Sequence, residues 1–308
     1  MISILLASYN GEKYLSEQIE SILNQTEQNF CLYINDDCST DNTFKIAKEY
    51  EKKYPDKIKV TRNNKNSGNA KYNFINMMIE HKNEYIMLCD QDDVWLPNKI
   101  EITFKKMVEL ENKFGKNTPI LVHTDLKVVD YNLKEIANSF KYYMYANYDK
   151  TKLNNLIIQN IVTGCTVMYN KSLADLIKYP KNFMVMHDWW LALIASAFGV
   201  IDHCEEQTIL YRQHGDNSVG VRNMRSLKFI INYAIKVKKI KKVLFETYEQ
   251  TAAFMNTYKS ELSKNQKKML KEYSCLSHSI KFKKIYVIVK YKIYKNGFFR
   301  ILSQIIYC

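Results

Sequence analysis

Apolar and polar positions follow two alternating rhythms through the first part of the chain. Short continuous apolar runs, as expected of strands buried on both faces, are separated by stretches in which apolar residues recur every three or four positions. ISILLASY (residues 2–9) reads as a first strand, and YLSEQIESILNQT places Leu15, Ile19, Ile22 and Leu23 on one helical face. FCLYINDD is a second strand, followed by STDNTFKIAKEYEKKY, a helix carrying Phe44, Ile46, Ala47 and Tyr50 with Ser39 or Thr40 as its N-cap. IKVTRN is a short third strand, NAKYNFINMMIEHK a helix with Phe74, Ile75, Met78 and Ile79, and EYIMLCD a fourth strand. This β-α-β order predicts an α/β fold, a mostly parallel sheet flanked by helices, with ligands at the carboxyl ends of the strands.

Three polar clusters fall at three of those strand ends: ASYNGE after the first, NDDCSTD after the second and DQDDVW after the fourth. In a parallel sheet they share one rim. Like charges gathered there repel, so a bound cation or a basic ligand is the economical explanation. Taken alone, an Asp-rich stretch after a strand is more often a solvated turn. The first strand end holds one glycine, with neither the GxGxxG of a dinucleotide fold nor the GxxxxGK[ST] of a P-loop. Mg²⁺ or Mn²⁺ held by carboxylates and a diphosphate fits such a cluster better.

Composition adds size and a second region. The 308 residues are 46% hydrophobic and 13% aromatic, enough for a large core, and 4 Pro and 8 Gly leave no low-complexity linker. The net charge of +13 is uneven: residues 222–308 hold 20 Lys and Arg against 4 Glu, while residues 1–221 are near neutral. We therefore expect a catalytic domain over 1–221 and a basic amphipathic helical region over 222–308. In SLKFIINYAIKVKKIKKVLFETYEQ, Phe229, Ile230, Ala234, Val237, Ile240 and Val243 interleave with Lys236, Lys238, Lys239, Lys241 and Lys242. FKKIYVIVKYKIYKNGFFRILSQIIYC repeats the mixture, and neither stretch is apolar for long enough to span a bilayer. Such a region either lies on an anionic membrane surface or packs on the catalytic domain with its lysines in water. Nucleic-acid binding is disfavoured, because no recognition module accompanies the charge. Seven scattered cysteines without a CxxC pair read as reduced thiols, and the opening apolar run is too short for a signal peptide. Both point to the cytoplasm.

Seven blocks in order, ASYNGEKYLSEQIESILNQT, INDDCSTDNT, NSGNAKYNF, DQDDVWLPNK, NIVTGCTVMYN, HDWWLALIASAFG and YRQHGDNSVG, give the chain its family likeness. They span about residues 2–220 and resemble the family 2 glycosyltransferases of GT-A fold, within them the rhamnosyltransferase-like branch of bacterial surface polysaccharide synthesis. The resemblance implies an inverting, metal-dependent transfer of a hexosyl unit, with L-rhamnose from dTDP-L-rhamnose favoured, onto a growing, lipid-linked, cell-surface or capsular glycan. UDP-hexose and UDP-N-acetylhexosamine donors stay open. A polyprenyl-linked acceptor would place the enzyme peripherally at the inner face of the plasma membrane.

Residue by residue, the resemblance puts Ala7, Tyr9, Asn10, Glu12, Asp37, Lys71, Gln91 and Asp93 at the nucleotide-sugar, with Asp37 accepting from a pyrimidine imide N–H; for Lys71 the other reading is a solvated surface lysine. Asp90 and Asp92 match the DxD acids that hold Mn²⁺ or Mg²⁺, and Asp92 is the expected direct ligand. His214 is either a further phosphate or metal contact or a structural loop residue. Asp188 falls where the family places its general base; a carboxylate at a helix start is also favoured in its ionised form by the dipole, although a plain cap is the other reading. Trp95, Gly164, Thr166, Trp189 and Trp190 are candidates for the acceptor pocket or, equally, for the core. Two rivals from other classes are weaker. A sugar-nucleotide nucleotidyltransferase needs a Gly- and Arg-rich first loop that ASYNGEKYL lacks, and a non-catalytic scaffold would not need the DxD acids together with Asp188.

Overall fold

The structure is a computed structural model that describes residues 1–215 and 237–308. The described residues form two compact units. The first comprises Met1–Phe140, Val162–Ile177 and residues 199–215, and the second Lys141–Ile161, Lys178–Phe198 and residues 237–308.

The first unit is the expected α/β body. Its strands are β1 (Ile2–Ser8), β2 (Phe30–Asp36), β3 (Ile58–Arg62), β4 (Tyr85–Cys89), β5 (Val94–Trp95), β6 (Ile120–Val129), β7 (Glu135–Ala137), β8 (Val167–Asn170) and β9 (Val200–Arg212). They form one sheet in the order β3-β2-β1-β4-β8-β6-β9-β5, with β7 beside β6. β1 runs parallel to both β2 and β4, with Ile4 opposite Leu32 on one side and Met87 on the other. The three polar clusters therefore leave the sheet on the same rim. Beyond β4 the sheet turns mixed: β8 is antiparallel to β4 and β6, whereas β6 and β9 are parallel.

Burial explains the strand pattern. All five residues of β4 are buried, and Ile4, Leu5 and Leu6 of β1 are fully enclosed, as a strand covered on both faces requires. Helices α1 (Leu15–Leu23), α2 (Thr43–Lys53) and α3 (Ala70–Glu80) lie where their periodicity places them, and a further helix α4 (Lys99–Phe114) follows the aspartate cluster. The N-cap of α2 differs from expectation. Asn42 occupies it without a side-chain capping bond, and the Ser39 hydroxyl accepts from the Asn10 N–H at 2.9 Å instead.

In the second unit the helix His187–Phe198 buries Trp190 against Phe254 (ring centroids 5.5 Å apart) and Tyr258 (6.1 Å). The helix Val237–Thr257 packs on the helix Lys264–Ser274 through Tyr248 and Tyr273, whose hydroxyl meets Thr247 Oγ1 at 2.9 Å. Ser263 and Gln266 form a capping box ahead of Lys264. Residues 141–161 and 178–198 thus join the C-terminal helices, so this unit draws on more of the chain than residues 222–308. The second basic stretch forms two helices, Lys281–Tyr291 and Phe298–Tyr307, separated by Lys292 and Gly297 at positive φ. Phe229, Ile230, Ala234 and Lys236 of the first basic stretch lie outside the described residues. Among those described, no helix is long and apolar enough to cross a membrane, and all seven cysteines are free thiols.

Gly199 enters β9 under a tight constraint: a Cβ there would lie 1.9 Å from the Pro119 carbonyl oxygen, which accepts from the Val200 N–H at 2.9 Å. Gly199→Ala must push β9 away from β6. We expect a loss of about 3 kcal/mol, read as a lower urea midpoint with an unchanged slope.

Candidate active site

The loop after β1 is built by the loop after β2. Asn10 adopts φ 48°, its N–H donates to Ser39 Oγ, and its Oδ1 accepts from the Thr40 N–H at 2.9 Å. The Gly11 N–H donates to Thr43 Oγ1 at 2.7 Å, and Glu12 Oε2 accepts from the Asn42 N–H at 2.9 Å and from Asn42 Nδ2 at 2.8 Å. Asn10 and Glu12, expected at the nucleotide-sugar, thus shape the loop. Ala7 is half-buried in β1, and Tyr9 is exposed beyond its end. A reciprocal pair fastens Tyr9 to the aspartate cluster: its N–H donates to Gln91 Oε1 at 2.8 Å, and Gln91 Nε2 donates to its carbonyl at 2.9 Å. Gln91 passes so close that a Cβ on Gly11 would meet Oε1 at 2.3 Å. That contact explains the single glycine of ASYNGE.

Asp37 is buried at the end of β2, with its carboxylate accepting from Asn63 Nδ2 (2.6 Å), the Ser67 N–H (2.8 Å) and Ser67 Oγ (2.6 Å). These donors fix the orientation of an acceptor group at the rim. Lys71 is half-buried in the first turn of α3, which Asn69 caps through the Lys71 N–H, and its Nζ lies 5.1 Å from the Tyr72 ring centroid.

The aspartate cluster divides differently from the sequence expectation. Ligand atoms of Asp90, Asp93 and Cys165 lie within 4.8 Å of one another. Asp92 instead meets His214 Nε2 through Oδ2 at 2.8 Å. His214 stands over Tyr14, ring centroids 4.9 Å apart. Asp93 is fully buried; its Oδ1 accepts from the Arg212 N–H at 3.1 Å, and its Oδ2, with the Cys165 thiol nearby, has no hydrogen-bond partner of normal geometry among the described residues. Burial, and then Asp92 and Asp90, hold the Asp93 carboxyl well above the usual carboxylate range. Burial likewise raises the Cys165 thiol, with Asp93 and Asp90 adding to it. An orphaned buried carboxylate oxygen in an oxygen-rich cluster fits a hard divalent cation.

Two buried cations support this cluster, and neither stood out in the sequence. Arg212 is 3% exposed. Its Nε donates to the Asp92 carbonyl and its Nη1 to the Tyr131 carbonyl, both at 2.8 Å; Nη2 pairs with Glu17, and the guanidinium carbon lies 4.7 Å from the Tyr14 ring centroid. Lys99 is fully enclosed, its Nζ makes no hydrogen bond among the described residues, and it lies 4.6 Å from the Trp95 ring centroid. Both residues belong to blocks read above, but nothing in spacing marks a Lys or Arg as buried.

The remaining candidates separate. Gly164 and Thr166 form a buried 3₁₀ turn ahead of β8, with the Thr166 hydroxyl donating to the Thr163 carbonyl at 2.6 Å. Trp95 is 2% exposed beneath Lys99, and Trp190 is enclosed in the second unit, its indole N–H on the Lys178 carbonyl at 3.2 Å. Both rings are packed as core residues, the second of the two readings given above. Trp189, also in the second unit, is 9% exposed and donates to the Leu156 carbonyl at 2.5 Å. Asp188 is half-buried in the first turn of the helix His187–Phe198, beside His187, which burial lowers to about 3 and so keeps neutral.

A parallel-sheet rim with an oriented carboxylate at one strand end and a carboxylate cluster at another is the arrangement of a GT-A nucleotide-diphospho-sugar transferase, and solved structures of that fold match the chain. That of Staphylococcus aureus TarS 1–349 in complex with UDP-GlcNAc superposes with a TM-score of 0.56 at 17% identity, covering 94% of this chain and 80% of that one. Residues 3–177 match the model of glycosyl transferase family 2. The chain is 30% identical over 230 residues to the dTDP-rhamnosyl transferase RfbG of Shigella flexneri, 70% of this chain and 73% of that protein. It is 28% identical over 213 residues to the putative teichuronic acid biosynthesis glycosyltransferase TuaG of Bacillus subtilis, 64% of this chain and 73% of that one. The chain belongs to the family 2 glycosyltransferases and is an enzyme of that class.

Lys99 yields a stability test. Burial lowers its ammonium from 10.5 to about 8, so the cost of its charge is full below pH 8 and disappears as pH rises toward 10.5. Lys99→Met should raise stability by about 1–2 kcal/mol at pH 7, and thermal melts across that range should show the gain shrinking above pH 8.

Proposed function

We propose that this chain transfers a hexosyl unit with inversion from a pyrimidine-diphosphate sugar to a growing surface glycan on a polyprenyl lipid, and that dTDP-L-rhamnose is its donor. The carrying observation is the spacing of two carboxylate sites on one rim. Asp37 follows β2 and the Asp90–Asp93 cluster follows β4, with only β1 between them. Two strand spacings are about 10 Å, which suits a base at one end and a diphosphate at the other. The likeness to RfbG supports the rhamnosyl donor.

In this reading Asp37 accepts the imide N–H of the base, and Ala7 and Tyr9 border the nucleoside. Asp90, Asp92 and Asp93 hold Mn²⁺ or Mg²⁺, which when bound offsets the charge developing on the departing diphosphate. Arg212 and His214 keep Asp92 in place. Asp188 takes the proton of the acceptor hydroxyl as that oxygen attacks the sugar. No covalent nucleophile is needed. A lipid-linked acceptor calls for work at the cytoplasmic membrane surface.

Thermal shift with Mn²⁺ against dTDP-, UDP- and GDP-sugars tests the donor. We expect dTDP-L-rhamnose to raise the midpoint by a few degrees, in a metal-dependent way, and Asp92→Asn to abolish the shift. A larger shift with UDP-glucose or UDP-N-acetylglucosamine would reassign the donor, and no shift with any nucleotide sugar would remove the proposal.

Asp188→Asn tests the base separately. It should lower kcat by about 10²–10⁴-fold while the donor-induced shift is unchanged. Full turnover in that variant would rule Asp188 out.

A further inference from the structure

The helix Phe298–Tyr307 is turned with its apolar side to water. It buries Ser303 and Gln304, yet Phe298 is 72% exposed, Phe299 55%, Leu302 44% and Ile306 46%. Those positions recur at three- and four-residue spacing and so make one stripe. Gln304 holds this orientation: its Oε1 accepts from the Lys295 N–H at 3.0 Å, and its Nε2 donates to the Ile293 carbonyl at 2.8 Å. Both bonds would be lost if the helix rolled to bury its phenylalanines.

The helix Lys281–Tyr291 carries a second stripe. It buries Val287 and Ile288, while Phe282, Tyr286 and Val289, spaced four and three residues apart, are each more than half exposed. Lys281, Lys283 and Lys292 are exposed beside them. After Glu272 the chain has no Asp or Glu through residue 308. Aromatic and aliphatic stripes flanked by lysines, without acids, are complementary to an anionic lipid surface. A second copy would bring like charges together, which disfavours self-association through this face.

We propose that these two helices dock the enzyme on an anionic bilayer, inserting Phe282, Phe298 and Phe299 into the headgroup–acyl boundary while the lysines meet lipid phosphates. The proposal deepens the membrane-surface reading above and rests on it, but lipid binding needs neither donor nor acceptor.

The test is cosedimentation of the full chain with vesicles of equimolar phosphatidylglycerol and phosphatidylcholine, beside vesicles of phosphatidylcholine alone. Wild type should bind the anionic vesicles and bind the neutral ones far less. Phe282→Ser/Phe298→Ser/Phe299→Ser should lower partitioning about tenfold or more, and Lys281→Gln/Lys283→Gln by about fivefold for each charge removed. Phe114→Ser, at an exposed site of the first unit, should change nothing. Unaltered melting temperatures exclude misfolding, since every altered side chain is exposed. If wild type stays in the supernatant while its donor-dependent thermal shift persists, the docking surface is wrong and the transferase reading stands. Undiminished binding by the triple phenylalanine variant would also overturn it. So would a concentration-dependent dimer, without lipid, that this variant dissolves.

Discussion

Burying the Asp93 carboxyl is the constraint around which the catalytic unit is arranged. The group is enclosed, two further carboxylates follow β4 within the same four residues, and among the described residues only one of its oxygens meets a donor in normal hydrogen-bond geometry. An ionised carboxylate in such a place is costly, so the carboxyl holds its proton more tightly than usual. Arg212 gives its backbone N–H to Asp93 and its side chain to the Asp92 carbonyl, so a single residue at the end of β9 supports both acids. Lys99 is a second buried group kept at a cost of its own, and among the described residues its Nζ makes no hydrogen bond. The site keeps an unfavourable arrangement that the surrounding packing stabilises, as expected where a fold holds charge for use.

The loops at that rim are interlocked. Gln91 ties the β4 loop to the β1 loop through both backbone groups of Tyr9, and Asn10, Gly11 and Glu12 tie the β1 loop to the β2 loop. Asp37 is in turn fixed by Asn63 and Ser67 beyond β3. Side chains expected to touch substrate therefore spend much of their hydrogen-bonding capacity on one another. This is preorganisation: the donors and acceptors are oriented before any ligand arrives, so less ordering remains to oppose binding.

The sequence carried the N-terminal half well because burial on both faces leaves a period that can be read directly. β1, β2, β4 and helices α1 to α3 lie within a few residues of their expected bounds. The shared rim followed from parallel pairing alone. Other features depend on contacts far apart in the chain. The grouping of Asp90 with Asp93 and Cys165 needs β4 and β8 to be neighbours, which periodicity cannot show. Trp95 and Trp190 were ambiguous for the same reason, since an indole serves a core or a sugar site equally well until its neighbours are known. Arg212 and Lys99 were missed because buried cations are rare and nothing local distinguishes them.

The C-terminal helices show the limit of reading amphipathicity as burial. A high contrast between two faces says that a helix lies at a boundary, and the usual inference is that the apolar face meets the protein. In Phe298–Tyr307 the polar face meets the protein, because Gln304 satisfies the backbone N–H of Lys295 and the carbonyl of Ile293, buried groups that an apolar residue would leave unpaired. The choice lies between orphaning two backbone groups and leaving four large apolar side chains in water. Water penalises the second strongly, and a lipid interface does not. The orientation seen is favoured where a further apolar phase covers the exposed face, and the proposed docking on a bilayer would supply one.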